Sequence, residues 1–126
     1  MDNVVGCTLV VKDDFNNVLI LKKKVKRGQV ESYTLINNKV TGKAVTEKTV
    51  EKAVKTSIKC NVFDLKPLKE FVVDKESKEK HIIYVGNIKE KPSLDKGYVD
   101  FRWISKRQIE DYNLEDFEKE ILNEIL

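Results

Sequence analysis

Residues 33–60 read YTLINNKVTGKAVTEKTVEKAVKTSIKC, and their changing period decides the fold. Tyr33, Thr34, Leu35 and Ile36 make a short apolar run with the character of an extended segment. Asn37 to Lys43 is polar and reads as a turn. From Thr46 to Lys59 the spacing becomes helical. At about 100° per residue, Val50, Ala53, Val54 and Ser57 fall on one side, and Lys48, Lys52, Lys55 and Lys59 on the other. The stretch is a strand, a loop and an amphipathic helix.

The same stretch resembles the signature of the Nudix hydrolase (MutT-like) superfamily, W-x-L-P-G-G-x-V-x-x-G-E-x7-R-E-U-x-E-E-x-G-U with U aliphatic, and needs no gap. Tyr33 falls on the W, Leu35 on the L, Asn37 and Asn38 on the paired glycines, and Val40 on the V. Ala44 takes the first E, Lys52 and Ala53 the R-E pair, Val54 the U, Thr56 and Ser57 the E-E pair, and Lys59 the last G. The apolar frame is kept and the carboxylates are not. Asparagine enters left-handed conformations more readily than other non-glycine residues, so Asn37-Asn38 is expected to preserve the glycine loop. Gly42 lies one position before the family's third glycine, which implies a local adjustment.

In that family the glutamates of R-E-U-x-E-E hold divalent cations, usually magnesium, which bridge a diphosphate and activate the attacking water. Such hard cations require oxygen ligands, chiefly carboxylate. Alanine offers none, and neutral hydroxyls do not supply the missing negative charge. Glu47 and Glu51 are the only carboxylates on the helix. Glu51 precedes the R-E glutamate position by two residues, about 160° away around the axis. The resemblance therefore implies a degenerate Nudix box, with no metal site, no cofactor and no catalytic residue at these positions. Lys52 alone retains a signature charge.

The 126 residues are most simply a single domain spanning 1–126, with apolar content sufficient for one core. No apolar run approaches the roughly 18 residues that a membrane helix requires. Met1-Asp2-Asn3-Val4 lacks the basic flank and apolar stretch of a secretory signal. Cys7 and Cys60 have no metal-ligand spacing and read as free, buried thiols in preference to the alternative of a disulfide, so a cytoplasmic location is expected. The net charge of +3 is unevenly placed. Residues 1–63 carry twelve basic and six acidic side chains, and residues 64–126 twelve and fifteen. A positive face for phosphate or nucleic acid is one reading of that asymmetry; lysines decorating solvated faces is the other.

Outside the signature, Val4 to Val11 reads as a buried strand, Asp13 to Asn17 as a turn and Val18 to Leu21 as the returning strand. This opening resembles many Nudix domains, in which basic residues ending the second strand approach substrate phosphates. Lys22 and Lys23 take that place here. Pro67 restricts its segment to an edge strand. Lys69 to Val73, His81 to Ile88 and Tyr98 to Ile104 read as strands, with a charged hairpin tip over Asp74–Lys80. His81, the single histidine, is expected to be a surface or hydrogen-bonded residue rather than a catalytic one. Ser105 caps a short helix over Lys106–Tyr112, and a final helix over Glu115–Leu126 carries the stripe Phe117, Ile121, Leu122 and Ile125. The run F-R-W-I-S-K-R-Q-I-E-D-Y-N-L is similar to the Nudix C-terminal half and extends the resemblance over nearly the whole chain.

The expected architecture is α/β, a mixed sheet between two helices. The first functional expectation is a non-catalytic module that binds a nucleotide-like ligand or a protein partner, with Lys23, Lys39 and Lys52 as candidate phosphate-binding residues. A magnesium-dependent hydrolase of nucleoside diphosphate-linked or triphosphate compounds is the alternative. It would have to recruit metal ligands outside the helix, with Glu70, Asp74 and Asp100 as candidates. Electrostatic nucleic-acid binding is the third reading, disfavoured because aromatic residues are not interleaved with basic ones. There is no P-loop, nucleophile elbow or Cys-x-x-Cys pair to support another chemistry.

Overall fold

The structure, a computed structural model, describes residues 4–40 and 45–126. The chain runs β1 (Val4–Val11), β2 (Val18–Lys23), β3 (Tyr33–Thr34), β4 (Ile36–Lys39) and α1 (Glu47–Ile58). It continues through β5 (Phe63–Asp74), β6 (Glu79–Asn87), β7 (Tyr98–Ile104), a 3-10 turn (Lys106–Asp111) and α2 (Asp116–Ile125). The strands form two sheets among the described residues. One is mixed, in the order β4-β1-β6-β5 with β1 and β6 parallel; the other is antiparallel, in the order β3-β2-β7.

Strand alternation explains why the apolar runs are nearly continuous. Cys7, Leu9 and Val11 of β1, Leu19 and Leu21 of β2 and Tyr84 of β6 pack in one core with Val50, Ala53, Val54 and Ile58 of α1. The intervening residues Val10, Val18, Ile20 and Ile83 pack in a second core with Ile109, Leu114, Ile121 and Leu122. Both faces are covered by helices, so both sets of alternating positions are apolar. Helix α1 begins at Thr46, whose backbone N–H donates to Thr49 Oγ1 at 3.1 Å. It ends where Lys59 turns left-handed (φ 56°) and returns its N–H to the Val54 carbonyl.

Several expectations required correction. The turn at Asp13–Asn17 forms as expected, with Asp13 accepting backbone N–H groups from Phe15 and Asn17. Its flanking strands, however, join different sheets and share only the bridge Lys12–Val18. Asn37 and Asn38 are not a left-handed loop. They are strand residues of β4, opposite Thr8 and Cys7 of β1, and the left-handed non-glycine residues among those described are Asn16, Lys59, Asp64 and Lys78. Gly42 and Ala44 lie outside the described residues. The strand expected from Lys69 begins at Phe63, as a twelve-residue edge strand whose register shifts accommodate Pro67. Cys7 and Cys60 are free and buried, and burial pushes the Cys7 thiol up to about 11. Among the described residues no helix is long and apolar enough to cross a membrane.

Candidate ligand-binding cleft

The run from Tyr33 to Lys39 changes sheets in its middle. Tyr33 and Thr34 pair with β2, Ile36 to Lys39 pair with β1, and Leu35 lies between the two ladders. Its buried N–H therefore lacks a strand partner. The side chain of Glu118, from the first turn of α2, supplies one: Oε2 accepts the Leu35 N–H at 2.6 Å. The same oxygen accepts from Thr34 Oγ1 at 2.9 Å and Asn37 Nδ2 at 3.1 Å, and Oε1 accepts the Glu115 N–H at 3.2 Å. Glu118 has no exposed surface. Burial raises its pKa above the ordinary carboxylate value, and these four donors act in the opposite direction.

Asn37 extends the network into the mixed sheet. Thr8 Oγ1 donates to Asn37 Oδ1 at 2.5 Å and lies 2.9 Å from His81 Nδ1. A threonine hydroxyl has one hydrogen, so with that hydrogen on Asn37 the proton between Thr8 and His81 belongs to Nδ1. Thus His81 is the hydrogen-bonded residue anticipated, though buried rather than on the surface. Burial lowers its pKa, the charge of Lys39 adds to that, and Glu79 opposes it.

Two cavities open around this wall. The larger, about 720 Å³, lies between β4 and α1 and reaches Tyr98. Its helical side consists of Lys48, Thr49, Lys52, Ala53, Thr56 and Ser57; its strand side is Asn37, Asn38, Lys39 and Val40. The smaller, about 350 Å³, is bounded by Lys23, Thr34, His81, Phe117, Glu115 and Glu118, and shares Asn37 and Lys39 with the first. The three candidate lysines are thus divided: Lys52 in the larger cavity, Lys23 in the smaller, and Lys39 on the rim of both. Lys22 is instead held by Glu31 at 2.9 Å. Lys48 was not singled out from sequence, although its i, i+4 spacing from Lys52 marks it as a neighbour on the same face.

Ala53, Thr56 and Ser57, which the resemblance sets at signature positions, line the larger cavity. Among the described residues no carboxylate joins them in its wall. Glu51 borders a separate shallow groove with Lys48, Lys52, Lys55 and Thr56. Glu70 faces Lys80 at 3.8 Å, Asp74 accepts N–H groups within its own hairpin, and Asp100 pairs with Arg102 at 3.1 Å. None of these three borders either cavity. Among the described residues no group of three or more His, Cys, Asp or Glu side chains is placed to hold a metal ion. The donors present do not fit magnesium, which needs carboxylate oxygen in addition to phosphate and water.

Glu118 is the residue that reading by type missed. Its position was legible: Glu118, Ile121, Leu122 and Ile125 follow i, i+3, i+4, i+7, so the glutamate heads the apolar stripe. What it was needed for, an orphaned N–H eighty-three residues away, was not.

This arrangement of sheets, helices and cleft is the Nudix fold of the MutT-like hydrolases. A MutT structure from work on Aliivibrio salmonicida and Vibrio cholerae superposes with a TM-score of 0.75 at 11% identity, covering 96% of this chain and 94% of that one. The MutT Nudix hydrolase of Burkholderia pseudomallei gives 0.74 at 16% identity, covering 98% of both chains. The MutT protein of Methanosarcina mazei Go1 gives 0.69 at 14%, covering 96% and 91%. No protein-family model matches the sequence, and no curated protein matches it by sequence. The likeness is therefore one of fold.

Proposed function

We propose that this chain is a non-catalytic ligand-binding module on the Nudix fold, and that its cleft takes a nucleotide-like anion. One observation carries the reading: Lys39, Lys48 and Lys52 border the larger cavity together with neutral amides and hydroxyls, and without a carboxylate among the described residues. Ammonium groups of this kind are suited to phosphate oxygens. The adjoining cavity, with the Phe117 ring in its wall, offers an apolar edge to the rest of such a ligand. Lys39 stands where the two parts of the ligand would meet, and Lys23 borders the smaller cavity.

The test is calorimetric titration with a panel of nucleoside di- and triphosphates, run beside a phosphate-release assay with and without magnesium. Saturable binding without phosphate release is expected, weakened by Lys39→Gln or Lys52→Gln. Metal-dependent turnover that disappears in the Thr56→Ala, Ser57→Ala double variant would refute the reading.

A further inference from the structure

The mismatch between this cleft and a divalent cation has a consequence for the form in which a ligand binds. We propose that Lys39, Lys48 and Lys52 stand in for the cation, so that the cleft binds a polyphosphate chain in its metal-free form and magnesium weakens binding. The inference rests on the ligand-binding reading above and adds to it the ionic state of the ligand.

Three observations support it. First, the three lysines converge from two elements, β4 and α1, on one cavity whose remaining polar groups are neutral. Second, none of the ion pairs among the described residues uses them, whereas Lys22, Lys69, Lys80 and Lys119 each have a carboxylate partner. Lys48 and Lys52 are moreover spaced i, i+4, where like charges repel, and Glu51, which borders a groove with both, makes no ion pair with either among the described residues, so an anion between them relieves that repulsion. Third, Ala53, Thr56 and Ser57 line the same wall and present no anionic oxygen to a metal.

The electrostatics then favour the free ligand. A divalent cation entering the larger cavity meets a described lining with three lysines and no carboxylate, which disfavours it there. On the ligand, the same cation neutralises part of the phosphate charge and occupies oxygens that the lysines would contact. Both effects weaken binding of the magnesium complex relative to the free polyanion. A hydrolytic cleft lined by carboxylates behaves in the opposite way, because its own charge repels a bare polyphosphate.

Sodium tripolyphosphate and a nucleoside triphosphate, titrated calorimetrically into the full chain, provide the test. Each is measured in EDTA and again with magnesium chloride in excess over the ligand, at matched ionic strength so that screening does not differ. Binding in EDTA is expected, with the dissociation constant rising about fivefold or more in magnesium, the direction set by the charge argument. Lys48→Gln and Lys52→Gln should each weaken binding in EDTA, while Lys52→Arg retains it; the exposed side chains make these variants structurally benign. Binding of the nucleotide alone would place a base contact alongside the phosphate contacts, whereas binding of both ligands would place the affinity in the phosphates; either outcome upholds the proposal if magnesium weakens it. Binding that requires magnesium, or is tightened by it, overturns this inference and leaves ligand binding standing. A Lys48→Gln, Lys52→Gln double variant with undiminished affinity overturns it as well. No binding of either ligand in either buffer removes the parent reading and this one together.

Discussion

Replacing Glu118 with alanine is the sharpest perturbation of the cleft wall, because its effect can be worked out bond by bond. The Leu35 N–H, which donates to Glu118 Oε2 at 2.6 Å, is buried between two sheets and would be left without an acceptor. An orphaned buried donor costs about 1–3 kcal/mol. Asn37 Nδ2 would keep Thr34 Oγ1 at 3.1 Å and the Leu35 carbonyl at 3.4 Å. The Thr34 hydroxyl, with one hydrogen, would turn it from Glu118 to the same carbonyl 2.9 Å away. These two groups therefore add little. The bond from Glu115 N–H to Glu118 Oε1 at the start of α2 would also go, at about 1 kcal/mol. Against these losses stands relief of the desolvation that raises the carboxyl pKa. Before that relief the losses come to about 2–4 kcal/mol, so the destabilisation expected is at most about that, or at most about 6–12 °C in Tm for a domain of this size. Urea and thermal unfolding followed by circular dichroism at neutral pH would measure it. An alanine variant as stable as the parent would show that the carboxylate is not the partner on which the strand crossover depends.

Other consequences follow from the same contacts. The folded pKa of Glu118 lies above its ordinary 4.5, so its contribution to stability is present below that pH and lost as pH rises through the raised value. The stability difference between Glu118→Gln and the parent should accordingly move in favour of the variant on going from acid to neutral pH; a pH-independent difference would count against the shift. His81 acts in the opposite sense, since its folded pKa lies below 6.5: its contribution is present above 6.5 and lost as pH falls through the lowered value. Comparing urea midpoints of His81→Asn and the parent between neutral and acid pH reads this directly. Ala53→Glu combined with Ser57→Glu places two carboxylates at nearly buried positions on the cleft wall and should cost several kcal/mol without metal. Magnesium should then raise the Tm of the double variant and not that of the parent, by about 2.7 kcal/mol equivalent at a hundredfold excess over Kd; equal responses would mean that the two positions do not face one site. Finally, a Cβ at Gly6 would sit 2.3 Å from the Asn38 carbonyl oxygen, a backbone atom that cannot rotate away. Gly6→Ala should lose about 1–3 kcal/mol and disturb β4, visible as altered amide shifts at Asn37 and Asn38.

Much of the fold is readable in the chain because local periodicity carries it. Val50, Ala53, Val54 and Ser57 recur at helical spacing, and those four are buried in α1. Tyr98–Ile104 is bounded by the residues expected of it, since its flanks carry turn and capping residues. Ala53 and Ser57, on the buried side of that spacing, reach the cleft wall beside Thr56. Where reading failed, residue type pointed one way and pairing another. Asn37 and Asn38 look like turn residues, yet the pairing of β4 with β1 draws them into a strand, and the Asn37 amide finds its partners in Thr8, Thr34 and Glu118.

The amino-acid order alone determined two things: which segments alternate or coil, through spacing between near neighbours, and that positions 53, 56 and 57 carry Ala, Thr and Ser rather than carboxylates, since no fold can supply a side chain the chain lacks. Tertiary structure alone decided which distant groups meet. Lys39 joins Lys48 and Lys52 only because β4 lies beside α1. Glu118 becomes a structural acceptor only because the chain changes sheets at Leu35 and leaves one N–H to be satisfied. A backbone donor deprived of its ladder partner takes whichever acceptor packing brings within reach, and local spacing cannot specify that partner.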